Sequence, residues 1–454
     1  KGKRGQAPKP GEGDKSPDPL ESNGPDPLEY LLPRVEFDED PLGVAYGPAY
    51  HGDEFNSYLQ DLGIDRTCLK LYWYQIERPN DVFRFDIVDA FLDELDPEDE
   101  ALVVVFTSSM WGAGNLGKGD PPLDYAEYYE FIHTLVSHCQ GRVKYWQRDS
   151  EPATPGHWDA LLYEEYVATQ KEFNRAVKDA DPNAVVVGCG YTGYWTNNGT
   201  MAPEVAAFLD YFFANAQNDF DVLDLHLYYN QYTIPTRVNW FREKMQLYGY
   251  EKPIYAAEFG GPHPQQFDGW EEFQYICECI KRGYWDDDVD FEEHLRYVID
   301  HKDEFLTPEQ LMFFGDCGEV LAAKRDRIHA RDIVQRAMLT LAAGVEKAWY
   351  WNLHAKWPNR GPNPLFGKLR LVDVTEDKIE PAYYNFQRMT GMLDGISAVS
   401  LVDTGVRENL LFQVERGEYN DLYVAWEKRH LFTGEDDPAI QFEWAFPWSA
   451  VKVT

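Results

Sequence analysis

The chain has 454 residues, and 44% of them are hydrophobic, which is enough to build the core of a large domain. Its 78 acidic side chains outnumber the 42 basic ones and leave a formal net charge of −36 at pH 7. This charge argues against nucleic acid, anionic membranes and acidic polysaccharides as partners, because cationic surfaces bind all of them. No run of about 18 apolar residues is present, so the sequence predicts no transmembrane helix.

Residues 1–33 are predicted to form a linker or a disordered tail. They combine proline, glycine and charge without apolar periodicity, and the tetrapeptide Pro-Asp-Pro-Leu occurs at 17–20 and again at 25–28. A tether to upstream modules and a simple tail are equally compatible with this composition. Because the sequence begins at Lys1 rather than at a methionine, we expect a processed or truncated chain, secreted to the extracellular space.

Residues 34–393 alternate short apolar runs with amphipathic stretches. Helical periodicity occurs at 125–138, 163–180, 202–214 and 331–343. The apolar runs between them fit strands that are buried on both faces, as in a parallel sheet. Strands that alternate with helices in this way predict an α/β fold, a closed (β/α)8 TIM barrel. The predicted strands are 44–46, 68–73, 101–107, 143–147, 184–188, 222–227, 253–257 and 347–351.

Two segments depart from this alternation. Residues 267–319 are acidic, helical in pattern and longer than an ordinary loop, so they predict a helical insertion on the barrel rim. Residues 394–454 alternate in strand fashion and predict a small β-sandwich-like module, whose last strand ends with the sequence. The strands predicted in this module are 410–414, 422–426, 440–444 and 451–454.

Two of the predicted barrel strands end in a glutamate. The fourth is followed by Glu151 and the seventh by Glu258. Chemistry in such barrels takes place at the carboxyl ends of the strands, where the fourth and seventh face each other across the mouth. Retaining hydrolysis of a glycosidic bond needs two carboxyl groups about 5–5.5 Å apart, one protonated and one ionised. The two glutamates therefore indicate a glycosidase site.

The two strand ends resemble those of clan A of the glycoside hydrolases, whose fourth strand usually ends in Trp-Asn-Glu-Pro. Two further motifs follow in the clan's order, the eighth strand at 349–352 and the last helix at 381–386. Over about residues 43–450 the order of elements is most similar to families 5 and 39, including an uncharacterised family-39-like group. The resemblance implies a retaining β-glycosidase with Glu151 as acid/base and Glu258 as nucleophile.

Ser150 departs from the clan's pattern, which has an asparagine at this position. That asparagine ordinarily hydrogen-bonds the 2-hydroxyl group of the sugar. Because a serine hydroxyl has a shorter reach, Ser150 acts through a water, or another donor replaces it, or activity is reduced. A non-catalytic relative that only binds sugar therefore stays an alternative.

The resemblance also implies side chains that support the two glutamates. Tyr228, after the sixth strand, is expected to hydrogen-bond Glu258, and His226 is expected to line the sugar subsite. In the second strand Cys68 stands where the clan has an arginine. Lys70 faces the same side of that strand, so we expect it to supply the missing positive charge beside the nucleophile.

Aromatic residues make up 15% of the chain, and sugars commonly stack on aromatic rings. Trp351 at the end of the eighth strand and Trp111 after the third are expected to be such platforms, with Asn352 completing the rim. Neither a cofactor nor a metal is predicted, because the histidines and carboxylates lack metal-binding spacing.

Three functions fit the sequence. The first is an endo-β-1,4-glucanase, a cellulase that hydrolyses neutral β-linked plant polysaccharide by double displacement; this ranking rests on analogy. The second is an exo-acting β-xylosidase or related β-glycosidase, in which the insertion at 267–319 closes the cleft into a pocket. The third is the non-catalytic carbohydrate-binding relative. For an enzyme we expect a bell-shaped pH profile, with Glu258 on the acidic limb and Glu151 on the alkaline limb.

Overall fold

In the computed structural model, eight parallel strands close into one barrel, so the predicted TIM-barrel fold is confirmed. Each barrel strand overlaps one strand that the sequence predicts. In chain order they are β1 Leu42–Ala45, β2 Arg66–Tyr72, β3 Glu100–Phe106, β4 Tyr145–Arg148, β5 Val185–Tyr191, β6 Val222–Leu227, β7 Ile254–Phe259 and β8 Lys347–Trp351. The structure describes residues 26–45, 56–79, 82–114, 116, 119–154, 157–192, 203–270, 273, 300–304, 306–314, 317–354, 369–373 and 378–441.

The strands have two apolar faces because helices pack outside the barrel. In β2, Leu69 and Leu71 belong to the core between strands and helices, whereas Cys68 belongs to the cluster inside the barrel. This alternation has the period of two that a strand imposes. Lys70, two residues beyond Cys68, therefore points into the barrel near its mouth.

The outer helices are amphipathic. In helix Tyr163–Ala180 the side chains of Tyr166, Phe173 and Val177 recur at helical spacing and are fully buried. None of the described helices is long and apolar enough to cross a membrane. The described helices are Asn56–Leu62, Trp73–Ile76, Asp86–Leu92, Tyr125–Cys139, Tyr163–Ala180, Pro203–Asn215, Ile234–Leu247, Pro308–Leu311, Glu319–Ala342 and Pro381–Leu393.

The C-terminal strands form one antiparallel sheet. Strands Ile396–Leu401, Asn409–Arg416 and Leu422–Glu427 pair in chain order, and Val35–Glu36 joins the free edge of the first. Phe412 of this sheet lies in the same hydrophobic core as the barrel helices. Within the described part of residues 394–454 the strands form one sheet and not the two facing sheets of a sandwich. Residues 442–454, which include most of the last two predicted strands, lie outside the described residues.

The end of the predicted linker differs from the structure, and most of the predicted insertion cannot be compared with it. The linker is predicted to run to residue 33, but Pro27–Tyr30 form a 3-10 helix whose Leu28 is buried, so the folded chain begins earlier. Residues 1–25 lie outside the described residues, as does most of the predicted insertion at 267–319. The domain boundaries otherwise stay predictions.

Charged side chains close the barrel at the amino ends of its strands. The guanidinium of Arg66, which is 1% exposed, lies 2.7 Å from Glu39 Oε2 and 3.0 Å from Glu100 Oε2. Lys347 pairs with Glu39, and Lys144 pairs with Glu100. Burial raises the pKa of Glu100, but these cations outweigh it and hold that pKa below its ordinary value. The cluster seals the end of the barrel that is opposite the candidate site.

Replacing Arg66 with methionine should therefore destabilise the fold by about 3 kcal/mol at neutral pH, because it leaves the Glu100 carboxylate buried beside fewer cations. Glu100 has a lowered pKa in the folded state, so its share of stability is lost as pH falls through that pKa. The difference from wild type should then shrink below about pH 4. Urea unfolding followed by circular dichroism measures both effects.

Arg84→Met is the matched control, because Arg84 and its partner Asp86 are 54% and 61% exposed and the pair contributes little. An Arg66→Met variant as stable as Arg84→Met would contradict the role of the cluster.

Candidate active site

The loop after β4 holds Glu151 in a strained backbone conformation. Asp149, Glu151 and Ala153 have φ angles of 46°, 57° and 64°, in the left-handed region that non-glycine residues rarely adopt. Such residues persist only where their surroundings hold them. The amide of Glu151 donates to the carbonyl of Gly190 at 2.9 Å, and the Asp149 carboxylate accepts from the amide of Thr107 at 2.7 Å. The direction of the Glu151 side chain is thus fixed by neighbouring strands.

A β-bulge orients Glu258 at the end of β7. The register of β7 shifts against both neighbouring strands just before this residue, between Tyr255 and Glu258 on one side and between Ala256 and Phe259 on the other. A bulge re-aims a side chain and leaves one backbone amide outside the ladder. The amide of Ala257 donates instead to the Asp224 carboxylate at 2.7 Å.

The two glutamates meet at the barrel mouth. One carboxylate oxygen of Glu151 and one of Glu258 lie within 4.8 Å of each other, and a ring nitrogen of His226 lies within the same distance of both. Retaining glycosidases need about 5–5.5 Å between carboxyl groups, whereas inverting ones need about 6.5–9.5 Å to admit a water. The separation fits double displacement.

Two buried donors hold the carboxylate of Glu258. The ammonium of Lys70 pairs with Oε1, and the hydroxyl of Tyr228 donates to Oε2. The same ammonium lies 4.0 Å from the ring centroid of Trp351. The structure therefore brings together the lysine, tyrosine and tryptophan that the sequence predicts for this site, and Lys70 supplies a positive charge beside Glu258.

His226 lies between the two glutamates. Its Nδ1 is 2.9 Å from Glu151 Oε1 and 3.4 Å from Glu258 Oε2, and its Nε2 is 3.3 Å from Asp224 Oδ2. Burial lowers the pKa of His226, but the three carboxylates outweigh it and raise that pKa to about 10. The sequence predicts that His226 lines the sugar subsite; the structure shows it as a bridge between the carboxylates.

The same charges set the protonation of Glu258. Burial raises its pKa, but the positive charges of His226 and Lys70 prevail and hold the pKa below its ordinary value. Burial lowers the pKa of the Lys70 ammonium, and the Glu258 carboxylate outweighs it, so that pKa lies above its ordinary value. Glu258 is thus kept ionised, as a nucleophile must be.

The remaining predicted residues lie around this group. Ser150 is buried, and its carbonyl lies 2.9 Å from Nδ1 of His157, whose Nε2 is 3.6 Å from Glu151 Oε2. Asn352 is 1% exposed, and neither polar atom of its amide has a hydrogen-bond partner in the described structure. Trp111 makes no hydrogen bond or ring contact with the two glutamates within the described ranges.

Some residues of the site were not singled out from the sequence; they are Gln147, Gly190, Asp224 and the His157 described above. Gln147 donates to Asp224 Oδ2 at 2.9 Å, and a side chain at Gly190 would lie 2.5 Å from the Gln147 amide. The strand period offered one signal, because Asp224 stands two residues before His226 and so faces the same way.

The donor set does not fit a resident metal ion. Among the described residues, Glu151, His226 and Glu258 are close enough to ligate one. Both oxygens of Glu258, however, already accept hydrogen bonds from Lys70 and Tyr228, and the ammonium would repel a cation.

Comparison with known proteins identifies the fold. No family model matches the chain, and no curated protein matches its sequence. A family 39 glycoside hydrolase from the gut symbiont Bacteroides cellulosilyticus is similar over 86% of this chain and 71% of its own, with a TM-score of 0.56 and 13% identity. A monomeric β-xylosidase from Caulobacter crescentus is similar over 85% and 76%, with a TM-score of 0.52 and 14% identity.

A glucosidase from Croceicoccus marinus is similar over 85% of this chain and 76% of its own, with a TM-score of 0.53 and 13% identity. These structures share the TIM-barrel fold of this chain, and the resemblance to family 39 is confirmed at the level of the fold. A shared fold does not by itself assign an activity, which depends on the site.

The charges around Glu258 predict the acidic limb of the pH profile. Since the pKa of Glu258 is held below its ordinary value, kcat/KM should fall only in the acidic range where Glu258, the nucleophile that the sequence predicts, becomes protonated. Lys70→Met removes one of the cations, so the midpoint of the acidic limb should rise by roughly one pH unit, with a lower maximum. Measuring kcat/KM against pH for both proteins tests this.

Lys70→Arg is the matched control, because it keeps the positive charge and should keep the acidic limb near the wild-type position. An acidic limb unchanged in Lys70→Met would show that Lys70 does not act on the ionisation of Glu258.

Proposed function

We propose that the protein is a retaining, exo-acting β-glycosidase of the β-xylosidase type. The observation that carries the proposal is the pair of carboxylates within 4.8 Å at the mouth of a closed eight-stranded barrel. One of them, Glu258, is buried and held by Lys70 and Tyr228, whereas the Glu151 side chain is 18% exposed. This difference in burial and pairing supports different roles for Glu258 and Glu151.

In the first step Glu258 attacks the anomeric carbon while Glu151 gives its proton to the glycosidic oxygen, so the bond to the leaving group breaks and a glycosyl ester on Glu258 forms. In the second step the ionised Glu151 takes a proton from water, and the oxygen of that water displaces Glu258 from the anomeric carbon. Two inversions retain the configuration. Lys70 and Tyr228 orient the nucleophile and then stabilise it as it leaves.

The net charge and the similar solved structures support the proposed substrate class. The sequence ranks an endo-β-1,4-glucanase first, but the comparisons do not support it, and the alternative β-xylosidase fits them better. The net charge of −36 favours a neutral sugar. Lys70 lies over the ring of Trp351, the tryptophan on which the resemblance places the sugar.

Other parts of the proposal rest on the sequence alone. We expect a β-linked oligosaccharide or polysaccharide as the partner, action outside the cell, and further modules joined through the N-terminal linker. The carbohydrate-binding alternative without catalysis is less favoured, because a site that only binds sugar has no need of an ionised, cation-paired Glu258 beside Glu151.

Activity is tested on 4-nitrophenyl β-glycosides. Wild type should hydrolyse the β-xyloside faster than the β-glucoside, and Glu258→Ala should lower kcat by more than roughly a thousandfold, because the nucleophile is gone. Glu243→Ala, on the exposed face of helix Ile234–Leu247, is the control and should match wild type. Equal rates for wild type and Glu258→Ala would refute the mechanism, and sugar binding without turnover by wild type would favour the binding alternative.

Chain-end action is tested on a xylo-hexasaccharide. An exo-acting enzyme should release single xylose units from the start, in the β configuration, as read by chromatography and by proton NMR of the first product. A mixture of intermediate oligomers at early times would instead indicate endo action, and an α-configured first product would contradict retention.

A further inference from the structure

We propose that Asp224 is a positioning residue that keeps His226 protonated on both ring nitrogens between the two glutamates, and thereby sets the pH range in which the site works. This inference rests on the proposed function, because it concerns how the same pair of carboxylates is held and charged.

Asp224 is fully buried on β6 and accepts from three directions. Its Oδ1 accepts from the amide of Ala257 at 2.7 Å, and its Oδ2 accepts from the Gln147 amide at 2.9 Å. Oδ2 also lies 3.3 Å from His226 Nε2. A carboxyl group that only accepts hydrogen bonds is in its ionised form. Asp224 is therefore a fixed negative charge under the site.

The surroundings of His226 require two ring protons. A neutral imidazole has one donor and one acceptor nitrogen. Here Nε2 faces the Asp224 carboxylate, and Nδ1 faces Glu151 and Glu258, so both nitrogens face acceptors. With the Glu151 proton on Oε2, Oε1 stays an acceptor toward Nδ1, and the ring then satisfies both sides as an imidazolium. Burial alone would lower the pKa of His226, and the neighbouring carboxylates raise it to about 10, which agrees with the geometry.

Charged groups from four strands or their ends contribute to the protonation of His226. The groups that face His226 are Glu151 after β4, with His157 beside it, Asp224 on the same strand, and Glu258 at the end of β7. Lys70 on β2 and the hydroxyl of Tyr228 act through Glu258. With Glu151 protonated, the carboxylates of Asp224 and Glu258 balance the positive charges of His226 and Lys70. This cluster of side chains then has no net charge.

Space for this arrangement comes from Gly190 on β5, whose φ is +68°. A Cβ atom there would lie 2.5 Å from Gln147 Nε2, 3.0 Å from Asp224 Oδ2 and 3.4 Å from His226 Nε2. The carbonyl of the same glycine accepts from the amide of Glu151. The buried carboxylate of Asp224 thus connects the backbone amide of Ala257, just before Glu258, to His226, which contacts Glu151.

Asp224→Asn separates the charge of this residue from its shape. The asparagine oxygen can still accept from Ala257, but its amide would donate to His226 Nε2, so the histidine would lose its charge while it keeps the proton toward Glu151. Without that charge both glutamates hold their protons more tightly. Both limbs of the kcat/KM profile on 4-nitrophenyl β-xyloside should move to higher pH by about one unit, with kcat reduced more than KM is changed.

Asp210→Asn is the matched control, because this aspartate pairs with Lys244 at the surface and its loss should leave both limbs in place. A purely structural role for Asp224 would lower activity at every pH without moving the limbs. A folded Asp224→Asn protein whose limbs coincide with those of wild type would overturn the proposal.

Nitrogen-15 NMR of histidine-labelled protein tests the pairing without any turnover. At pH 7 the His226 ring of wild type should show two protonated nitrogens, and that of Asp224→Asn should show one. A neutral His226 ring in wild type would overturn the proposal even where the variant does not fold. If wild type hydrolyses no glycoside but His226 is doubly protonated, the proposed function fails while the inferred role of Asp224 in holding His226 stands.

Discussion

Two ionised carboxylates within 4.8 Å of each other repel strongly beside side chains as buried as Glu258 and His226. Positive charge has to stand beside them, and in this protein it comes from Lys70 on β2 and His226 on β6. The two cations favour the ionised form of Glu258, with which Lys70 pairs directly, and the proposed mechanism places the proton on Glu151. This division of labour is what double displacement needs.

The barrel makes this compensation of charge possible, because it brings to one rim the ends of strands that are far apart in sequence. The local backbone then aims each side chain, through left-handed residues around Glu151 and through a bulge before Glu258. Both irregularities are supported from neighbouring strands, by the carbonyl of Gly190 and the carboxylate of Asp224. Regular strands alone would not place the two carboxyl groups at a working distance.

Much of this could be predicted from the sequence, because the strongest signals are local. Apolar runs such as 222–227 identify the barrel strands, and the period of two places Lys70 on the inner face of β2. The role of Gly190 could not be predicted, because it depends on the space between side chains of three strands. Strand Val35–Glu36 is too short to show any periodicity, and its pairing with Ile396–Leu401 is a long-range contact. The choice of sugar depends on side chains around the site whose arrangement no local pattern encodes.

In the proposed mechanism Glu258 forms a covalent bond to the sugar while Glu151 assists departure of the leaving group. The most direct measurement uses a 2-deoxy-2-fluoro-β-xyloside with a good leaving group, which slows the second step so that the glycosyl ester accumulates, followed by peptide mass spectrometry. We expect loss of activity together with one added fluorosugar on the peptide that contains Glu258. A sugar attached to any other residue, or turnover with no labelled intermediate and an inverted product, would contradict it.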